Sequence, residues 1–190
     1  MINIVSINQA RAFARQDGAI LGIVWIVSFV CTMKGIDPEY ALLGIVANIL
    51  LLSTPFIVAN RLKKFRDDAL DGIISFRRAL YYNLQTFFNA TLLLTIVQYL
   101  WFSYMDMGSF MSLLSTQYTA ILQEAYHISA KEAQLMIDTL LSMKPLAWAS
   151  TFMITDLIVG AILSPIIAAI MQRKIRISNH IPTNDPSIQQ

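Results

Sequence analysis

Four long apolar runs, separated by more polar stretches, dominate the chain. The first is GAILGIVWIVSFVCTM, 18–33, and the second ALLGIVANILLLSTPFIVA, 41–59. The third, 79–105, is the longest with the fourth, 145–171, which a single charge, Asp156, interrupts. A membrane span needs about 20 apolar residues. The first run reaches that length if Arg15 and Lys34 snorkel to the two interfaces, and the third has length to spare for tilt. Strict alternation is missing, so a barrel is excluded and helices are the form that satisfies the backbone in lipid. Basic residues precede the first run as in a signal peptide, but Ser28-Phe29-Val30-Cys31 is a poor cleavage site. An uncleaved first helix is expected.

The stretch 106–144 predicts an exterior helical hairpin between the third and fourth spans. Its first helix, about 110–126, spaces Leu114, Tyr118, Ile121 and Leu122 along one face. Ser129 and Glu132 then form the S-x-x-E pattern of a capping box. The second helix carries Leu135, Met136, Thr139 and Leu140, and Pro145 opens the fourth span. The stripe predicts a hairpin that packs on the bundle mouth or lies on the outer leaflet, a structural cap ahead of a ligand-binding lid. Residues 1–17, with Phe13 between Arg11 and Arg15, predict an inner-leaflet amphipathic segment. The tail 172–190 is polar, contains two prolines and is expected to be disordered. The fold class is therefore all-α: a polytopic four-helix transmembrane domain over 18–171, with Pro55 and Pro165 as expected kinks near the inner side.

Composition agrees. The chain is 56% hydrophobic and 14% charged, against roughly 25% charged in soluble domains. Mean hydropathy is +0.56. The lone cysteine, Cys31, cannot form an internal disulfide and leaves the redox compartment open.

Charge adds orientation. Arg11 and Arg15 precede the first span; Arg61, Lys63, Lys64, Arg66, Arg77 and Arg78 lie between the second and third; Arg173, Lys174 and Arg176 follow the fourth. These eleven of fourteen basic residues share one side of a four-span protein, and only Lys34, Lys131 and Lys144 fall on the other. Basic flanks stay cytoplasmic. The expected localisation is thus a bacterial inner membrane, with both termini inside. Asp67, Asp68 and Asp71 dilute the basic cluster, and the net charge is only +2, which argues against nucleic acid as a partner. The six cations Arg61–Arg78 are instead candidates for lipid headgroups. Gly72 is expected to end a short helical piece, and Ser75 to cap the third span.

The pattern Lys64-x-Arg66-Asp67 followed by Gly72-x-Ile74-Ser75-Phe76 and Ala79 resembles the central motif of domain-of-unknown-function family 4199. The similarity reaches Gly18, read as the head of the first helix, and extends to span order and length. The resemblance implies a four-helix membrane protein of the kind found chiefly in Bacteroidetes. It implies no catalytic residue. Members often lie encoded near a membrane glycosyltransferase, which makes such an enzyme a candidate membrane partner.

Among candidate sites, Asp156 is the one acid inside a span, where a charged carboxylate costs about 2.5–3.5 kcal/mol on insertion scales. Asn48, Thr91, Thr95 and Gln98 lie at comparable depth and are its expected partners. Gly18-x-x-x-Gly22 and the row Gly160, Ser164, Ala168 suit close helix contact. His127 and His180 lack ligand companions, so neither metal nor cofactor is expected. No phosphate loop and no nucleophile–base pair is present. The reading is a non-enzymatic membrane subunit or scaffold engaging lipid or a membrane partner. The alternative is a proton-linked carrier using Asp156. A lipid-modifying enzyme comes third, because clustered acids or histidines are missing.

Overall fold

A computed structural model describes residues 4–105 and 107–173. Seven α-helices follow in order: α1 (Ile4–Lys34), α2 (Ala41–Leu52), α3 (Thr54–Ala69), α4 (Phe76–Tyr104), α5 (Gly108–Tyr126), α6 (Ala130–Leu141) and α7 (Pro145–Met171). A 3-10 turn, Pro38–Tyr40, joins α1 to α2. Four stretches are long and apolar enough to cross a membrane: Ile7–Lys34, Pro38–Ala69, Phe76–Tyr104 and Pro145–Met171. No strand occurs among the described residues; Ile74 and Arg173 form one isolated antiparallel bridge. Of the expected tail, only Gln172 and Arg173 fall within the described residues; Lys174, Arg176 and His180 lie outside them.

Helix α4 is the axis of the bundle, with α1 packed along one side and α7 along the other. Helix α2 lies outside α1, and α3 returns inward to touch α1, α4 and α7. Close approach relies on missing side chains. A Cβ on Gly18 would stand 2.7 Å from the Asn89 Cβ and 2.8 Å from the Thr86 carbonyl, and one on Gly160 would meet Phe87 at 2.8 Å. Outward, the helices are apolar: Leu42, Leu52, Phe56 and Ile170 are each more than 70% exposed. That pattern suits a bundle surrounded by hydrocarbon.

The N-terminal segment differs from expectation. Residues 4–17 are not a separate surface helix; they extend the first span into one helix of 31 residues, about 46 Å long at 1.5 Å per residue. Its apolar face is a packing face, because Ala10, Ala14, Asp17, Leu21 and Trp25 are all buried at spacings of three and four. Gly18 consequently lies within the helix and not at its head.

The second run also differs. It divides at Ser53 into α2 and α3. Pro55 has no N–H to donate, and the break at Ser53 lies two residues before it. Ser53 Oγ donates to the Leu50 carbonyl at 2.6 Å, while Thr54 Oγ1 accepts from the Trp25 indole at 2.9 Å. Helix α3 then carries the charged stretch as far as Ala69, and Asp71 (φ 50°) and Gly72 (φ 78°) make the left-handed turn that follows. Helix α7 runs unbroken through Pro165.

The hairpin expected between the third and fourth spans is formed by α5 and α6. Ser129 Oγ accepts from the Glu132 amide, and the Glu132 carboxylate accepts from the Ser129 amide. The Ser129 hydroxyl also donates to the Glu132 carboxylate at 2.7 Å, and that bond, with the Ser129 amide second, holds the Glu132 carboxyl below its ordinary pKa. His127 ends α5 in the left-handed region. The buried stripe of α6 is Ala133 and Ile137, however, and the expected Leu135 and Met136 are exposed. Ala133 is fully buried yet small, a choice that large apolar residues alone do not reveal. On α5, Leu114 packs against the core while Tyr118 and Ile121 are largely exposed.

Candidate functional site

The end of the bundle that carries the N-terminus gathers the polar groups. Asp17 on α1 is 6% exposed. Its carboxylate accepts a hydrogen bond from the hydroxyl of Tyr82 on α4 and lies 3.6 Å from Nε of Arg61 on α3. One carboxylate thus joins three helices. Phe65 of α3 stacks on Tyr82 with ring centroids 4.9 Å apart and planes 5° from parallel. Phe13 of α1 tilts against Phe65 at 5.1 Å, and the Arg78 guanidinium lies 5.8 Å from the same ring centroid, within cation–π range. A second tie closes the far side. Arg66 donates to Asp67 at 2.8 Å and to the Met171 carbonyl at 3.4 Å, and Ile74 exchanges backbone hydrogen bonds of 3.1 and 3.0 Å with Arg173.

The expectation that the N-terminal segment, the charged stretch and the end of the fourth span share one end therefore holds in the fold. Arg78 reaches Gln9 at 3.2 Å, and Arg11 donates to the Tyr81 hydroxyl. The six headgroup candidates separate into two sets. Arg66 is buried, Arg61 and Arg78 are half-buried, and all three bond within the protein. Lys63, Lys64 and Arg77 are exposed, and none forms an ion pair with a described residue. In the family motif, Arg66 and Asp67 pair with each other, Gly72 takes a positive φ, Ser75 caps α4 by accepting from the Arg78 amide, and Phe76 begins that helix.

The second candidate, around Asp156, is less complete than expected. Asn83 Nδ2 donates to the Ser164 carbonyl at 3.1 Å, and Phe87 abuts Gly160. One further turn along each of these antiparallel helices brings Thr91 level with Asp156. Asp156 Oδ2 and Thr91 Oγ1 are both buried and without a hydrogen-bond partner, as are Gln98 Oε1, Trp148 Nε1 and Asn83 Oδ1. They define a polar seam between α4 and α7. The expected hydrogen bonds to Asp156 are not made. Asn48 is exposed and donates to its own Gly44 carbonyl at 2.8 Å, and Thr95 donates to the Thr91 carbonyl at 2.8 Å. In both cases a helical carbonyl one turn back satisfies the side chain.

Asp17 and Tyr82 were not among the residues singled out from sequence. Asp17 falls in the segment read as a surface helix. The signal available was its register, since Ala10, Ala14, Asp17 and Leu21 share one helical face. As chemistry, a carboxylate held by an arginine and a tyrosine is a tie between helices. Among the described residues no three histidine, cysteine or acidic side chains come together to hold a metal ion.

Residues 16–173 match the family model described as Protein of unknown function (DUF4199). No curated protein and no solved structure matches the chain.

Proposed function

We propose that this chain, which belongs to the DUF4199 family, is a non-enzymatic subunit of a bacterial cytoplasmic membrane that engages anionic lipid at its inner face. Both termini face the cytoplasm. The observation that carries the reading is the division of the cations. Arg61, Arg66 and Arg78 hold the helices together, whereas Lys63, Lys64 and Arg77 remain exposed beside them. Each exposed cation near an anionic surface contributes about 1 kcal/mol, so three together favour acidic lipid by about 3 kcal/mol at low salt. Replacing Lys63, Lys64 and Arg77 together by Gln should lower retention of phosphatidylglycerol on the purified protein, with the loss shrinking as salt rises. Unchanged retention at low salt contradicts the reading.

One observation favours a second reading, a proton-linked carrier. Asp156 Oδ2 is buried without a hydrogen-bond partner, level with Thr91 by the register of α4 and α7, and intramembrane acids mark proton paths. Proton flux in liposomes containing the protein alone, abolished by Asp156→Asn, supports the carrier; equal flux in empty liposomes removes it.

A further inference from the structure

At the end of the bundle away from the termini, a cavity of about 210 Å³ opens where α1, the 3-10 turn, α4 and α5 meet. Two opposite charges line it: Lys34, the last residue of α1, and Asp37, which precedes the 3-10 turn. Neither side chain forms an ion pair with the other or with another described residue. One Asp37 oxygen accepts from the Glu39 amide at 3.0 Å, which leaves the second for another donor. Tyr40, Trp101 and Phe110 complete the aromatic part of the lining.

This combination selects a ligand class. A carboxylate among aromatic rings suits an ammonium group, by charge-assisted hydrogen bonding and by attraction to the ring faces. Lys34 suits an anion such as phosphate. A simple anion would meet Asp37, and a simple cation would meet Lys34, so a ligand bearing both charges fits best. The volume falls below the roughly 300–1,000 Å³ of sites for drug-sized ligands, which suits a headgroup and not a whole lipid. The depth agrees, because Lys34 ends the first span and Trp101 lies in the last turn of α4, the level at which tryptophan and tyrosine meet headgroups.

We infer that this cavity binds a phosphate–ammonium zwitterion of the phosphoethanolamine type, with the ammonium on Asp37 and the aromatic rings and the phosphate on Lys34. The site lies at the opposite end from Lys63, Lys64 and Arg77 and stands independently of the inner-face reading. The test therefore uses the full chain with those three residues replaced by Gln, which removes the proposed inner-face attraction for acidic lipid. Native mass spectrometry would compare retention of phosphatidylethanolamine and phosphatidylglycerol offered in equal amounts. Phosphatidylethanolamine should be retained about tenfold better, the scale of one charge-assisted hydrogen bond. Asp37→Asn keeps an acceptor for the Glu39 amide, so the turn persists, yet it should bring the ratio close to one. Lys34→Gln should lower phosphatidylethanolamine retention. Competition with soluble glycerophosphoethanolamine distinguishes the sources: displacement at equal concentration identifies a free ligand, and its failure identifies the lipid. Equal retention of the two lipids, or selectivity that survives Asp37→Asn, overturns the inference.

Discussion

Removing the Asp17 carboxylate should loosen the bundle more than any other single polar change at the end where α1, α3 and α4 meet. In Asp17→Ala the Tyr82 hydroxyl, on a residue with no exposed surface, loses its acceptor, and Arg61 loses its counter-charge. At 3.6 Å and an effective dielectric of about 20, the gross attraction between the charges is about 4.6 kcal/mol. Desolvation offsets much of that, and the Arg61 side chain, 29% exposed, recovers hydration when the partner is lost. The Tyr82 bond to a carboxylate contributes about 1.5–3 kcal/mol. Breaking a buried pair from one side costs about 3–5 kcal/mol, and the Arg61 exposure places Asp17→Ala at the lower end, about 3 kcal/mol. Tyr82→Phe should cost about 2 kcal/mol. Because both substitutions remove the same bond, the double variant should be less destabilised than their sum, by at least about 1 kcal/mol. Unfolding in mixed micelles by titration with dodecyl sulfate, followed by helical circular dichroism, gives the four free energies. Additivity to within about 0.5 kcal/mol would refute the claim that Asp17 and Tyr82 act through one bond.

Asp156→Leu should leave stability within about 1 kcal/mol of the parent in the same titration, since Oδ2 has no bond to lose and an apolar group replaces an unsatisfied one; a loss above about 2 kcal/mol would reveal a partner. Gly18→Ala should destabilise by about 1–3 kcal/mol through overpacking against the Thr86 carbonyl. Gly44→Ala, whose Cβ would have its nearest neighbour at 3.8 Å, should not, and equal effects would refute the α1–α4 contact. The Glu132 carboxyl is depressed by its bonds to Ser129, so its contribution is complete above the ordinary carboxylate pKa and fades as pH falls through the lowered value. Amide protection at the start of α6 should decline over that acidic window in the parent and be independent of pH there in Glu132→Gln.

The spans were legible because twenty apolar residues in lipid leave the backbone one choice of structure. Ser75 and the Ser129–Glu132 box were legible because capping chemistry is local in sequence. The role of residues 4–17 was not. An apolar face on a basic helix looks the same whether it meets lipid or α4, and only the partner's position decides. Asp17 was hidden for the same reason: its bonds reach Arg61 and Tyr82, residues distant in sequence. The division of the cations followed suit, since Arg66 and Lys64 differ only by the helical face that α3 turns to α7. Asp156 stood out by composition, but the pairing assigned by depth failed where Asn48 and Thr95 bonded to their own helices.

Sidedness tests the account most directly. In a Cys31→Ser background, Asp68→Cys lies at the end carrying Lys63, Lys64 and Arg77, and Glu124→Cys lies in the α5–α6 hairpin; both native side chains are exposed. A membrane-impermeant thiol reagent applied to intact cells should label position 124 and leave position 68 unlabelled until the membrane is opened. Labelling at 68 with none at 124 would place the basic end outside and contradict both the cytoplasmic termini and the inner-face lipid contact.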